Sequence, residues 1–183
     1  MKKLVIIKFK DIEKAGFILS SFFGFVCSFL FSLIWHEKIK LFFNSDFQVS
    51  WFIIWFILFV IICIVGAIVH ELIHGVSFAI NCRNHFKSIR FGIKIRPFPH
   101  LYTSCREPLS KLAYLFGVVM PLLILGIAPA IYGLSFGSFT HTLFGFIFSC
   151  VSVGDIMLIY KVLKHVKKEL VYDLPEEVGF EYF

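Results

Sequence analysis

The sequence predicts an all-α membrane protein, a bundle of four transmembrane helices with a short amphipathic β ribbon on its cytoplasmic side. Three observations carry this expectation. Hydrophobic residues make up 58% of the chain and charged residues 16%, with 25 Phe among 183 residues, a composition outside that of soluble globular domains. Four apolar stretches are each long enough to cross about 30 Å of hydrocarbon as a helix, which takes roughly 20 residues. The basic residues fall almost entirely on alternate connecting segments. No composition shift, linker or internal repeat marks a second domain, so residues 1–183 are read as one integral membrane domain.

The chain opens on Met1-Lys2-Lys3, which looks like the start of a secretion signal. The first apolar stretch begins only at Ala15 and offers no A-x-A cleavage pattern, so it is expected to stay attached as the first span, residues 15–35. The second span is residues 51–73, the third 112–134 and the fourth 139–160. Pro121 and Pro129 are expected to kink the third, which membrane helices tolerate when neighbours satisfy the freed carbonyls. In the middle loop, Ile89, Phe91, Ile93 and Ile95 alternate with Ser88, Arg90, Gly92, Lys94 and Arg96, the period of a strand with one apolar face. Pro97 and Pro99 end that strand, and residues 101–105 can return as a second one, giving a ribbon at the membrane surface. The tail alternates acidic Asp173, Glu176, Glu177 and Glu181 with apolar Val171, Leu174, Val178 and Phe180. It can fold back over the ribbon or remain unstructured.

Charge sets the orientation. The N-terminal arm carries five Lys, the middle loop seven Lys or Arg and the tail four Lys, against Lys38 and Lys40 in the first outer loop and none in the last. The split is therefore 16 to 2, and the positive-inside rule makes the richer side, with both termini, cytoplasmic in a cell membrane. Trp35 and Trp51 then share the outer interface. The formal charge of +6 does not imply nucleic acid, because the basic residues flank apolar segments instead of forming a stripe interleaved with exposed aromatics. Anionic lipid headgroups are the expected partner. The five cysteines form no C-x-x-C pair, and no disulfide framework is expected.

The chemistry is concentrated in His70-Glu71-Leu72-Ile73-His74, which holds the only charged residue between Trp51 and Cys82. Residues four apart share a helix face, so His70 and His74 can offer two imidazole nitrogens to one Zn²⁺, with Glu71 beside them as a base toward water. Ser77 and Asn81 continue the same stripe. The fourth span, also running inward, carries Asp155 six residues before Lys161, at a depth matching His74. An intramembrane carboxylate costs about 2.5–3.5 kcal/mol on insertion scales and needs a partner. A bound metal is one; Lys161 is another. Glu107 is the rival third ligand, or simply a residue at the start of the third helix with Pro108 in its first turn. The remaining histidines, His36, His85, His100, His141 and His165, lie in or beside loops and are read as solvated.

His-Glu-Leu-Ile-His-Gly at 70–75, Glu107-Pro108-Leu109-Ser110-Lys111, Gly154-Asp155-Ile156, and the tail from Asp173-Leu174-Pro175 to Gly179-Phe180 together resemble a small bacterial family of zincin-type membrane peptidases similar to site-2 proteases. The resemblance spans residues 70–180. It implies that His70, His74 and Asp155 bind zinc and that Glu71 activates water. Site-2 proteases place their Asp before a Gly, whereas here Gly154 precedes Asp155. The reading is a zinc-dependent peptidase acting on a membrane-anchored protein or peptide near the cytoplasmic leaflet. Two alternatives stand beside it: a metal-binding sensor or transporter component without catalysis, and a structural, partner-binding membrane protein in which the cluster is polar packing.

Overall fold

A computed structural model describes residues 2–44, 48–94, 100–167, 169–174 and 177–183, with the backbone alone for residues 42–44 and 100. Arg96, Pro97 and Pro99 of the expected ribbon, and Lys168, Pro175 and Glu176 of the tail, lie outside the described residues. The elements run β1 (Lys3–Ile6), α1 (Phe9–Ile34), α2 (His36–Asn44), α3 (Val49–Ala79), β2 (Ile89–Lys94), β3 (His100–Cys105), β4 (Leu109–Ser110), α4 (Lys111–Pro121), α5 (Ala128–Phe136), α6 (Phe139–Val151), α7 (Val153–His165), β5 (Leu170–Asp173) and β6 (Gly179–Tyr182).

Three helical stretches have the length and hydropathy to cross a membrane: α1, α3, and the run from Lys111 to Phe136. The pair α6 and α7 makes a fourth if its 50° bend is one span. Helix α1 shows why an apolar surrounding suits it. Phe17, Phe22 and Phe25 are 77%, 60% and 68% exposed, and covering a side chain of that kind is worth about 1.5–3 kcal/mol. Helix α3 runs six residues beyond the expected span, so the His-Glu motif lies inside the helix and not at its fraying end.

Two interruptions shape the remaining spans. After Pro121 the third span continues as a π-helical stretch from Leu122 to Ile127 before α5, as expected where a ring without an N–H breaks the i to i−4 ladder. The fourth span is not the single straight helix the sequence suggests. It bends at Ser152, two residues before Gly154, a Ser/Gly combination of the kind that kinks helices, and so places Asp155 in the first turn of α7.

The all-α expectation needs correcting. Besides the β2–β3 ribbon there is a four-stranded antiparallel sheet in the order β1-β6-β5-β4. Lys3 lies opposite Tyr182 and Val5 opposite Phe180, so the tail, expected to fold back over the ribbon or to stay unstructured, pairs with the N-terminal arm. Pairing brings Val5 of β1 against the buried cluster while Leu4 and Ile6 stay exposed, and Phe180 of β6 and Val171 of β5 are fully covered. The main buried cluster, including Phe78, Tyr114, Val118, Val162, Val171 and Phe180, joins the helix ends to this sheet. Cys82 and Cys105 meet within it as thiols, Sγ to Sγ 2.8 Å, and burial pushes Cys82 up to about 12. At the opposite end of the bundle, the Trp35 indole donates to the Leu134 carbonyl at 2.7 Å and Trp55 to Thr140 Oγ1 at 3.1 Å.

Candidate metal centre

His70 and His74 stand one turn apart on α3, 4% and 7% exposed. Asp155 reaches them from α7. Its Oδ2 lies 3.3 Å from His70 Nε2 and its Oδ1 3.4 Å from His74 Nε2. Charge-assisted N–H···O bonds run about 2.7–2.9 Å, so both contacts are long for direct ion pairing. In a tetrahedral site with bonds near 2.0–2.1 Å, neighbouring ligand atoms stand about 3.3–3.4 Å apart. Asp155 Oδ2 is also buried without a hydrogen bond, a state that costs a carboxylate dearly unless a cation compensates it. The spacing and the orphaned oxygen fit a metal ion.

His74 is oriented by a neighbour. Its Nδ1 lies 2.9 Å from the Gly117 carbonyl, and since a carbonyl only accepts, Nδ1 donates, which in the neutral ring leaves the Nε2 lone pair toward Asp155. The carbonyl is available because the residue four positions on is Pro121, which has no N–H to claim it. Gly117 also lets α4 approach closely: a Cβ there would stand 2.2 Å from the Phe78 ring. Such a partner on the second ring nitrogen is the usual support of a metal-ligating imidazole.

Glu71, half-buried, lines one cavity of about 170 Å³ with His74 and Asp155. The ribbon forms part of its wall. Ile89 and Phe91 lie on α3 at Gly75, where a Cβ would stand 2.4 Å from the Phe91 ring, while Ile93 is 69% exposed. Thr103 Oγ1 donates to the backbone carbonyl of Glu71 at 3.0 Å, tying β3 to the motif helix. Ile89 lies opposite Cys105, and one step outward Arg106 N donates to Ser88 O at 2.9 Å. Hydrogen-bonded and non-bonded pairs alternate along an antiparallel ladder. Ser104 and Tyr102 therefore bond to β2, while Cys105, Thr103 and Leu101 turn their N–H and C=O groups to the other edge, and Leu101 and Thr103 line the cavity.

A family model described as "Putative zincin peptidase" matches residues 63–171, from the middle of α3 into β5 and more than half of the chain. The chain belongs to this family. No curated protein and no solved structure matches it. Membership implies zinc, and His70, His74 and Asp155 form the one group of three or more such side chains among the described residues that can hold an ion.

The other sequence candidates sit elsewhere. Glu107 is not with the histidines and does not begin α4, whose N-cap is Ser110. Its carboxylate accepts from the Arg83 and Asn84 backbone N–H groups, the Asn84 side chain and Ser88 Oγ. The Ser88 hydroxyl and these amides hold its pKa down at about 2. It closes the loop after α3. Asn81 bonds back to the Ser77 carbonyl on its own helix. Sequence reading missed Gly117, Thr103 and the pair in which Tyr114 O–H donates to Asp173 Oδ1 at 2.9 Å. Only Gly117 left a signal, a proline four residues later in a facing span.

Proposed function

We propose that this protein is a zinc-dependent peptidase of the cytoplasmic membrane that cleaves membrane-anchored segments near the inner leaflet. One observation carries the reading: Glu71, His74 and Asp155 border a single cavity, His70 joins His74 and Asp155 in one group of possible metal ligands, and the cavity wall includes the edge of β3 that pairs with no other strand among the described residues. His70, His74 and Asp155 would hold the metal. When bound, zinc supplies Lewis acidity, making a water acidic near neutral pH and polarising a carbonyl. Glu71 takes the proton from the attacking water and delivers it to the leaving amine nitrogen. Gly117 keeps His74 in the ligating tautomer. The free edge of β3 holds the substrate backbone extended by hydrogen bonds, as strand addition does.

The cytoplasmic setting rests on the 16 to 2 split of basic residues and on the pairing of β1 with β6, which brings both termini to the sheet end of the bundle. The deciding experiment compares membrane proteomes of cells producing the wild type and Glu71→Gln. Gln keeps size but cannot accept a proton, so the variant should retain about one zinc per chain while cleavage falls by about 10²–10⁴-fold. Full cleavage by Glu71→Gln refutes the mechanism. Bound zinc with no Glu71-dependent peptide in any membrane favours a metal-binding protein without catalysis.

A further inference from the structure

A Cβ added to any other glycine of the chain would come within 4 Å of a neighbouring residue, but at Gly154 it would meet nothing. The backbone there does not call for glycine either, since Gly137 alone among the described glycines has a positive φ. Gly154 stands in the first turn of α7, and glycine is the poorest helix former after proline. The open space belongs to the cavity of about 170 Å³ bordered by Glu71, His74 and Asp155. Leu158, four residues on and therefore on the same face of α7, lines that cavity too, so a side chain at 154 would project into it beside Leu158. One turn from the candidate metal ligands the wall becomes apolar. Phe78 follows His74 on α3, and buried Tyr114 and Val118 of α4 join it with Leu158. Asp173 at this layer is bonded to Tyr114 O–H at 2.9 Å, while half-buried Lys94 and exposed Glu177 mark the open side. An apolar cavity of about 150 Å³ takes one benzene, so about 170 Å³ admits one large side chain and no more.

We propose that Gly154 is a specificity-determining residue: by carrying no side chain it leaves room beside Glu71 for one large apolar side chain, Phe or Leu, of a substrate residue flanking the scissile bond. The proposal rests on the peptidase reading and names the substrate class within it. Filling the space with even one methyl group shortens the pocket where the guest must pass the metal ligands, and it does so without disturbing any packed neighbour.

The test uses zinc-loaded full-length protein in detergent micelles with β-casein, a disordered chain that presents many residue types, and maps the cut bonds by mass spectrometry. The wild type should cut at bonds flanked by Phe or Leu. Gly154→Ala should keep its zinc and its melting temperature. Its kcat/KM at a Phe-flanked bond should fall by about 10- to 200-fold, the range for one methylene in an apolar pocket, and far less at a bond flanked by Ala. Binding reads the same space without turnover. Glu71→Gln should hold a labelled β-casein peptide containing Phe more tightly than the same peptide with Ala in its place, and adding Gly154→Ala should remove the difference. A wild type that cuts with no preference for Phe or Leu, an unchanged choice of bonds in Gly154→Ala, or a lower melting temperature in that variant overturns the role of Gly154 alone. A wild type that leaves β-casein whole while Glu71→Gln still prefers the Phe peptide counts against the peptidase reading and supports the pocket; the absence of that preference as well counts against both.

Discussion

At the scale of single residues, the proline at 121 acts on a histidine 47 positions earlier in the chain. By withholding an N–H, Pro121 leaves the Gly117 carbonyl to His74 Nδ1. Pro121→Ala supplies a competing donor and lets the ladder close, so it should weaken zinc affinity by about 10- to 100-fold, the range seen when such supporting partners are lost. Competition with a chromogenic chelator measures this, and unchanged affinity removes the carbonyl from the account. Ligand and base should separate in the same assay. His70→Ala and Asp155→Ala are expected to lose most of the zinc, which Glu71→Gln keeps.

Asp173 adds a dependence on pH. Burial pushes its pKa up to about 7, with the Asp155 charge adding to the rise and the Tyr114 hydroxyl, the Cys105 N–H and His74 opposing it. Its folded pKa thus lies above the unfolded value of about 3.9, so between those two values the folded chain binds more protons than the unfolded one. Stability from this group is complete below about pH 4 and is lost as pH rises toward 7. Melting in micelles should fall between pH 5 and 7 by more in the wild type than in Asp173→Asn. Equal slopes would show that its surroundings do not disfavour the charged carboxylate.

At the scale of elements, the ribbon and the motif helix behave as one unit because Phe91 fills the space left by Gly75. Gly75→Ala brings a methyl group to within 2.4 Å of that ring, and overpacking of this kind costs about 1–3 kcal/mol. The ribbon should lift from α3, exposing Arg90 and Lys94 to trypsin faster than in the wild type and lowering cleavage without removing His70 or His74. Equal trypsin sensitivity would mean the ring moves aside without disturbing the strand. The alternation from Ile89 to Lys94 was legible in sequence as the period of a strand, although Phe91 and Ile93 stay 47% and 69% exposed. The bend at Ser152 was not, since apolar residues continue through it and hydropathy does not register direction.

For the whole molecule, the termini, the ribbon and the candidate metal ligands gather toward one end, and Trp35, Trp55 and residues 134–140 toward the other. If the basic end is cytoplasmic, a cysteine introduced at Ser138 should react with an impermeant reagent in intact cells and one at Lys167 should not. The reverse pattern would invert the orientation while leaving the site untouched.

The sequence by itself determined the apolar spans, the ribbon, and the candidate set of His70, Glu71, His74 and Asp155, since each follows from local periodicity, from spacing on one helix or from depth in a span. Tertiary structure decided the rest. The pairing of β1 with β6 joins the two ends of the chain, the Gly117 carbonyl reaches His74 across 43 positions, and Tyr114 meets Asp173 across 59. These contacts rest on backbone groups and short strands that carry no compositional mark, so only the packing of α3, α4, α7 and the sheet against one another could assign them.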